Sequence, residues 1–151
     1  MIGYDAMMRL LDRDGVEVAS GDMVCLHTGF ADRLLHGMRN ADGLNAYGAV
    51  LDVYDSQLLQ WITDSGMSVL IADNVAVEAR AGEMPQGFAG PMMPLHEHCL
   101  FKLRLHLGEF WPLTPLAEWL QAHSRHHFLL TAPPLRLPGA VGSPASPVAT
   151  V

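Results

Sequence analysis

This sequence predicts an α/β protein, a mixed sheet with flanking helices, and three observations predict it. Apolar residues recur at helical spacing in segments that alternate with short apolar runs bounded by glycine. The order helix-then-strand occurs twice, over residues 4–28 and again over residues 56–73. Finally, 151 residues of which 50% are apolar suit one domain, long enough to bury about 70% of its unfolded surface. Alternating helices and strands are the pattern of layered α/β architecture.

Along the chain, Tyr4, Met7, Met8 and Leu11 share one helical face, and Gly15 supplies a stop, so residues 4–14 form an amphipathic helix. The run DMVCLHTG (residues 22–29) is a buried strand. Residues 30–52 have weak periodicity and several Gly and Asn, which predicts a long loop with one helical turn. SQLLQWITDSG (residues 56–66) is a helix with Ser56 as its N-cap and a glycine end, and MSVLIAD (residues 67–73) is a second buried strand. Gly and Pro make residues 79–94 irregular, and a loop of that length in a small domain is functional, disordered or a cover for something. CLFKL is helical, RLHLGEFW leads as a strand to Glu109, and TPLAEWLQAHS (residues 114–124) is a helix with Thr114 as N-cap and Pro115 at its first position. HHFLLTA (residues 126–132) is a last strand. By composition alone, the Pro-, Gly- and Ser-rich end PPLRLPGAVGSPASPVATV is a floppy tail.

Composition excludes several classes. A net charge of -7 and a pI near 5.5 leave no basic surface for phosphates, so no nucleic-acid partner is expected. There is no run of eighteen apolar residues to span a membrane, and the N-terminal stretch lacks the basic start of a secretory signal. Cys25 and Cys99 form neither a disulfide framework nor a CxxC zinc pattern, and both read as buried free thiols. The expected compartment is the cytosol.

The chemistry-bearing residues gather in PLHEHCLFKLRLHLGEFW. His96 and His98 lie thirteen and eleven residues before Glu109. Residues i and i+2 share a face on a strand but not on a helix, so either histidine, not both, could meet Glu109 from a helix. Zinc takes about four ligands, and this stretch supplies at most three; the competing account is polar side chains hydrogen-bonded at the edge of a pocket. HSRHH (residues 123–127) follows a helix end, where cationic side chains complement the macrodipole. His27 reads as a core histidine with one satisfied nitrogen. Asp73 stands at the C-terminal end of a strand, the edge where open α/β sheets bind ligands; Asp73 and Glu78 are either pocket groups or, for Asp73 or Asn74, a helix N-cap. No phosphate loop, GxGxxG or GxSxG motif occurs, and Ser143 has no base near it in sequence.

Four segments taken in order, GDMVCLHTGF, VLIADNVAVE, PLH followed by Glu109, and FLLTAPPLRLPGAVGSPASPVA, resemble the C-terminal half of the cyclase family of metal-dependent hydrolases, which includes bacterial kynurenine formamidases and isatin hydrolase. The likeness runs from about Gly3 to Val151. It implies the C-terminal part of a swivelling β/β/α-like domain, with the tail as packed structure. It also implies a zinc or manganese cofactor and hydrolysis of an amide, formamide or lactam C–N bond, because a bound metal lowers the pKa of its water and polarises the carbonyl. Carried over, His96 and Glu109 are metal ligands, His98 is the alternative ligand one register away, and Asp73, Glu78 and His98 lie near the pocket. The family's H-x-G-T-H-x-D motif, which brings the remaining ligands and the acid/base histidine, is absent from the chain. The expectations are therefore an incomplete ligand set, no catalytic residue, low activity of the isolated chain on a small-molecule substrate, and a partner in a missing N-terminal half or a homo-oligomer. The alternative is a non-catalytic dimerising or binding module derived from that family, since fold alone does not fix function.

Overall fold

Val69, Leu70, Ile71 and Ala72 have the β-branched and apolar character of a strand covered on both faces, and Leu70, Ile71 and Ala72 are at most 1% exposed in the computed structural model. The structure describes residues 1–37, 48–78 and 86–151, and the chain divides into two compact units, Met1–Thr114 and Pro115–Val151.

In the first unit, helix α1 (Tyr4–Asp14) has the predicted bounds. Gly15 ends it in the left-handed region at φ 63°, where glycine carries no Cβ penalty, and the N–H groups of Gly15 and Val16 close the last turn on Asp12 and Leu11. Strand β1 (Met23–Leu26) leads to α2 (Phe30–His36), so part of the predicted 30–52 loop is helical; residues 38–47 of that segment lie outside the described residues. Helix α3 (Ser56–Ser65) follows, then β2 (Val69–Ala72). The N-cap of α3 is Asp55, not Ser56. One carboxylate oxygen of Asp55 accepts from Gln57 and Leu58, and the other accepts from Tyr4 N–H at 2.7 Å. Ser56 is the first helical residue, and the extended backbone of Asp55 just before it aims the capping carboxylate at those amides.

Of the predicted irregular stretch 79–94, residues 79–85 lie outside the described residues, and α4 (Pro94–His96) starts at its end. This single turn widens into a π-helix, Glu97–Leu103, which Arg104 terminates at φ 58°. Strand β3 (His106–Gly108) comes next.

The three strands are parallel in the order β1-β2-β3, with Cys25 beside Ile71 and Ile71 beside Gly108. A Cβ on Gly108 would stand 3.0 Å from Ile71 Cγ1, so glycine permits the close approach of β3 to the central strand. Met7, Leu58, Ile62, Leu70, Leu95 and Cys99, contributed by helices and sheet, form the core at 5% exposure or less. Because the strands are parallel, their C-terminal ends share one edge, and His27, Asp73 and Glu109 each follow a strand there.

The second unit holds the rest of α5 (Thr114–Ala122) and an antiparallel pair, β4 (Leu129–Thr131) with β5 (Val148–Thr150). The floppy tail expected from composition is corrected: residues 133–146 continue the hairpin, with Leu135 N–H donating to Pro144 O and Ser146 N–H to Pro133 O. Every proline lacks a donor but keeps its carbonyl, and these carbonyls serve as acceptors on the paired strands. No residue of 115–151 is buried. Among the described residues, no helix is long and apolar enough to cross a membrane.

Candidate functional site

His96 comes to the sheet edge on the single α-turn before the π-helix, and Glu109 comes on the first residue beyond β3. Their side chains meet: His96 Nε2 lies 3.1 Å from Glu109 Oε1. On its other side His96 Nδ1 lies 2.6 Å from Glu78 Oε1. Thirteen and eighteen residues of separation are closed by fold, not by local periodicity. Parallel pairing of β3 with β2 carries Glu109 to the edge, while Leu95 and Cys99, both fully buried, pin the helix that bears His96.

Each carboxylate is held from behind. Glu78 is 1% exposed, and its side chain accepts from Leu95 N–H at 3.0 Å and from His96 N–H at 3.1 Å as well as facing the imidazole. An anion set against the free amides at the start of a helix is stabilised by those donors and by the helix dipole. Glu109 Oε2 accepts from Ala76 N–H at 3.1 Å, which leaves Oε1 turned to His96. The side chains of His96 and Glu109 are 23% and 31% exposed, so the pair is partly accessible to solvent.

The segment between Asp73 and Glu78 makes this possible by an unusual path. Ala76 and Val77 have φ 65° and 61°, and Phe110, next to Glu109, has φ 58°. A β-branched residue in the left-handed region is a true outlier. Such conformations cost of order 1–3 kcal/mol each and persist where the surroundings over-determine them, typically at functional sites. The surroundings here are Asn74, whose Oδ1 accepts from Val77 N–H and whose Nδ2 donates to Ala49 O at 2.7 Å, and Phe110 N–H, which donates to Asn74 O. Asn74, Ala76, Val77 and Phe110 carry no sequence signal for this role.

The remaining sequence candidates fall as follows. Asp73 does not cap a helix; it is completely buried and accepts three hydrogen bonds, from Thr28 N–H, Thr28 Oγ–H and Gly29 N–H, at 2.6–2.8 Å. It fastens the β1–α2 connection to the sheet edge. His98 lies on the face of the π-helix toward α3, where Nε2 meets Thr63 Oγ1 at 2.9 Å and Leu59 O at 3.1 Å. His27, expected in the core, is exposed beyond the end of β1 and bonds Thr114 Oγ1 at 2.9 Å, because the strand stops at Leu26. His123 stacks on Trp119 at 3.8 Å with Arg125 over the same ring, a helix-end arrangement.

Could the pair hold a metal ion? Ligands at about 2.0–2.2 Å from zinc, at tetrahedral or octahedral angles, are separated from one another by about 3–3.5 Å. The 3.1 Å between His96 Nε2 and Glu109 Oε1 falls in that range, and an imidazole with a carboxylate is a donor set both zinc and manganese accept. The two therefore fit as part of a coordination shell. Among the described residues, no group of three or more His, Cys, Asp or Glu side chains is arranged to hold an ion.

No family model matches this chain, and no curated protein matches it. Among solved structures, one described as the crystal structure of a novel cyclase superposes with a TM-score of 0.79 and 26% sequence identity. The match covers 100% of this chain and 47% of the cyclase, so the chain spans about half the length of the protein it resembles. The likeness to the cyclase family read from the four sequence segments thus extends to the three-dimensional fold.

Proposed function

We propose that this chain supplies two ligands, His96 and Glu109, to a metal-dependent hydrolase centre of the cyclase type, acting in the cytosol on an amide, formamide or lactam C–N bond of a small molecule. One observation carries the reading: an imidazole nitrogen and a carboxylate oxygen face each other at 3.1 Å on a partly open sheet edge, each backed by donors or acceptors that fix its orientation. The 0.79 TM-score to a solved cyclase supports it.

His96 and Glu109 would hold a divalent zinc or manganese ion, which when bound would supply Lewis acidity toward a water and a carbonyl. Everything else falls to the chain's own groups. Ala76 N–H keeps one oxygen of Glu109 occupied and presents the other. Asp73 holds Thr28 and Gly29 at the same edge. Two protein ligands are half of what zinc takes, so hydrolysis requires further donors from outside the described residues, in a second copy or another polypeptide segment.

Equilibrium zinc and manganese binding to the full chain tests this reading. Weak occupancy, below one metal per chain, that His96→Ala and Glu109→Ala each abolish is the expected result. Binding indifferent to both substitutions would refute it, and tight binding of one metal per chain would show that the donor set has been undercounted.

A further inference from the structure

Both ring nitrogens of His96 face carboxylate oxygens, and a carboxylate only accepts. The two contacts are not equivalent. Glu78 is buried to 1% exposure and takes three contacts: Oε2 accepts from Leu95 N–H, and Oε1 meets both His96 N–H and the imidazole Nδ1, the latter at 2.6 Å. Two backbone amides thus hold the carboxylate in one place, and the same helical turn that provides those amides carries the imidazole. Glu109 is 31% exposed, and its contact with Nε2 is the longer one at 3.1 Å. A short bond between a nitrogen and a desolvated anion is the stronger of the two.

We infer that Glu78 is the positioning residue of this centre: it holds the ring proton on Nδ1, so that His96 presents the Nε2 lone pair to a divalent cation shared with Glu109. The inference rests on the reading of His96 and Glu109 as ligands. It adds that a third, buried residue decides which nitrogen is free. The proton assignment follows from acceptor chemistry. Both carboxylates can only accept and a neutral imidazole carries one hydrogen, so the shorter contact with the buried Glu78 takes it at Nδ1 and leaves Nε2 without one. A histidine whose non-ligating nitrogen donates to a carboxylate is the usual way protein metal sites fix ring orientation and raise ligand basicity. Glu78 does this while also satisfying the first amides of the helix, so the tether and the helix start are one structure.

The substitution Glu78→Gln separates these duties. It preserves size but replaces one acceptor oxygen with an amide that donates. With that amide toward Nδ1, the ring proton moves to Nε2 and the lone pair points at the substituted side chain instead of the cation; Glu78→Asp keeps the charge and is the rescue variant. Two measurements on the full chain decide the matter. In long-range proton–nitrogen NMR of the metal-free protein, at a pH high enough that the His96 ring carries a single proton, that proton resides on Nδ1 in the wild type and shifts toward Nε2 in Glu78→Gln. In zinc titrations, Glu78→Gln weakens binding by about 10- to 100-fold, and Glu78→Asp recovers part of the loss. A purely structural cap would lower thermal stability without moving the tautomer. A wild-type proton on Nε2, or zinc binding that Glu78→Gln leaves unchanged, overturns the inference. Zinc binding insensitive to His96→Ala would instead sink the ligand assignment, leaving the tautomer result to stand by itself.

Discussion

Asp73 is the residue on which the sheet edge depends most directly. A fully buried carboxylate is costly unless hydrogen-bonded, and here three donors from Thr28 and Gly29 satisfy it within 2.6–2.8 Å. Removing it strands two buried or half-buried backbone amides at once. Asp73→Ala is therefore expected to cost about 3 kcal/mol or more of folding stability, read as a shift of the urea midpoint. Asp73→Asn should cost nearly as much, since its amide would point a donor at donors; a loss under about 1 kcal/mol for both would contradict this account. The thiols give a second prediction. Burial pushes Cys25 up to about 11, and burial together with the charge of Glu78 pushes Cys99 up to about 12. Since the thiolate is the reactive form, near neutral pH Cys99 holds far less than about one part in a thousand of it. Native protein should consume thiol reagent slowly, and urea-unfolded protein should consume two equivalents rapidly, for Cys25 and Cys99 are both free. The linkage has a definite sign. A thiol raised in the folded state contributes stability fully present below its unfolded value of 9.0, and that contribution drains away as pH climbs through about 11 and 12.

Asp55 shows how one side chain organises two elements. It caps α3 through Gln57 and Leu58 and reaches Tyr4 N–H at the start of α1, where Gly3 leaves room: a Cβ there would stand 2.7 Å from Asp55 Oδ2. The Tyr4 N–H first, then the amides of Leu58 and Gln57, hold this carboxyl below its ordinary value against an opposing desolvation effect. Its contribution is thus present above pH 3.8 and fades as acid protonates it below that. Asp55→Ala should lose about 1–2 kcal/mol at neutral pH and flatten the acid limb of the stability curve; an unchanged acid limb would remove Asp55 from the explanation. The sequence carried most of the elements but not this link. Residues 4–14 were readable because apolar spacing and a glycine stop agree locally, whereas Ser56 and Asp55 are equally good caps by type and only backbone geometry separates them. The same limit governs the site. That His96, and not His98, meets Glu109 depends on a helix in which residues two apart point to different sides. The π-helical widening at Glu97–Leu103 and the left-handed Val77 leave no trace in residue pattern, since valine there favours a strand. Glu78 reaches His96 only through the fold.

The distribution of buried surface over the chain is lopsided, and it bears on assembly. Residues 1–114 contain every buried side chain among the described residues; residues 115–151 contain none. Ordering a residue costs about 1–2 kcal/mol in backbone entropy alone, and a two-stranded pair is marginal by itself in water. Yet Leu129, Leu135, Leu137 and Val148 on the hairpin stand 66%, 52%, 48% and 57% exposed. Apolar side chains in such a segment demand a cover, and with a net charge of only -7 on 151 residues self-repulsion does not forbid a second copy from providing it. We therefore expect concentration-dependent self-association of the full chain in sedimentation velocity. Leu129→Lys combined with Leu137→Lys should shift the boundary toward monomer while the far-ultraviolet circular dichroism of the helices stays in place. Should the wild type sediment as a monomer over the whole accessible concentration range, the hairpin is covered in some other way and the homo-oligomer expectation falls. Should it associate but ignore the two lysines, the contact lies elsewhere on the chain. The outcome bears on the proposed chemistry too, because a second copy is one of the two places from which a metal centre at His96 and Glu109 would draw its further donors.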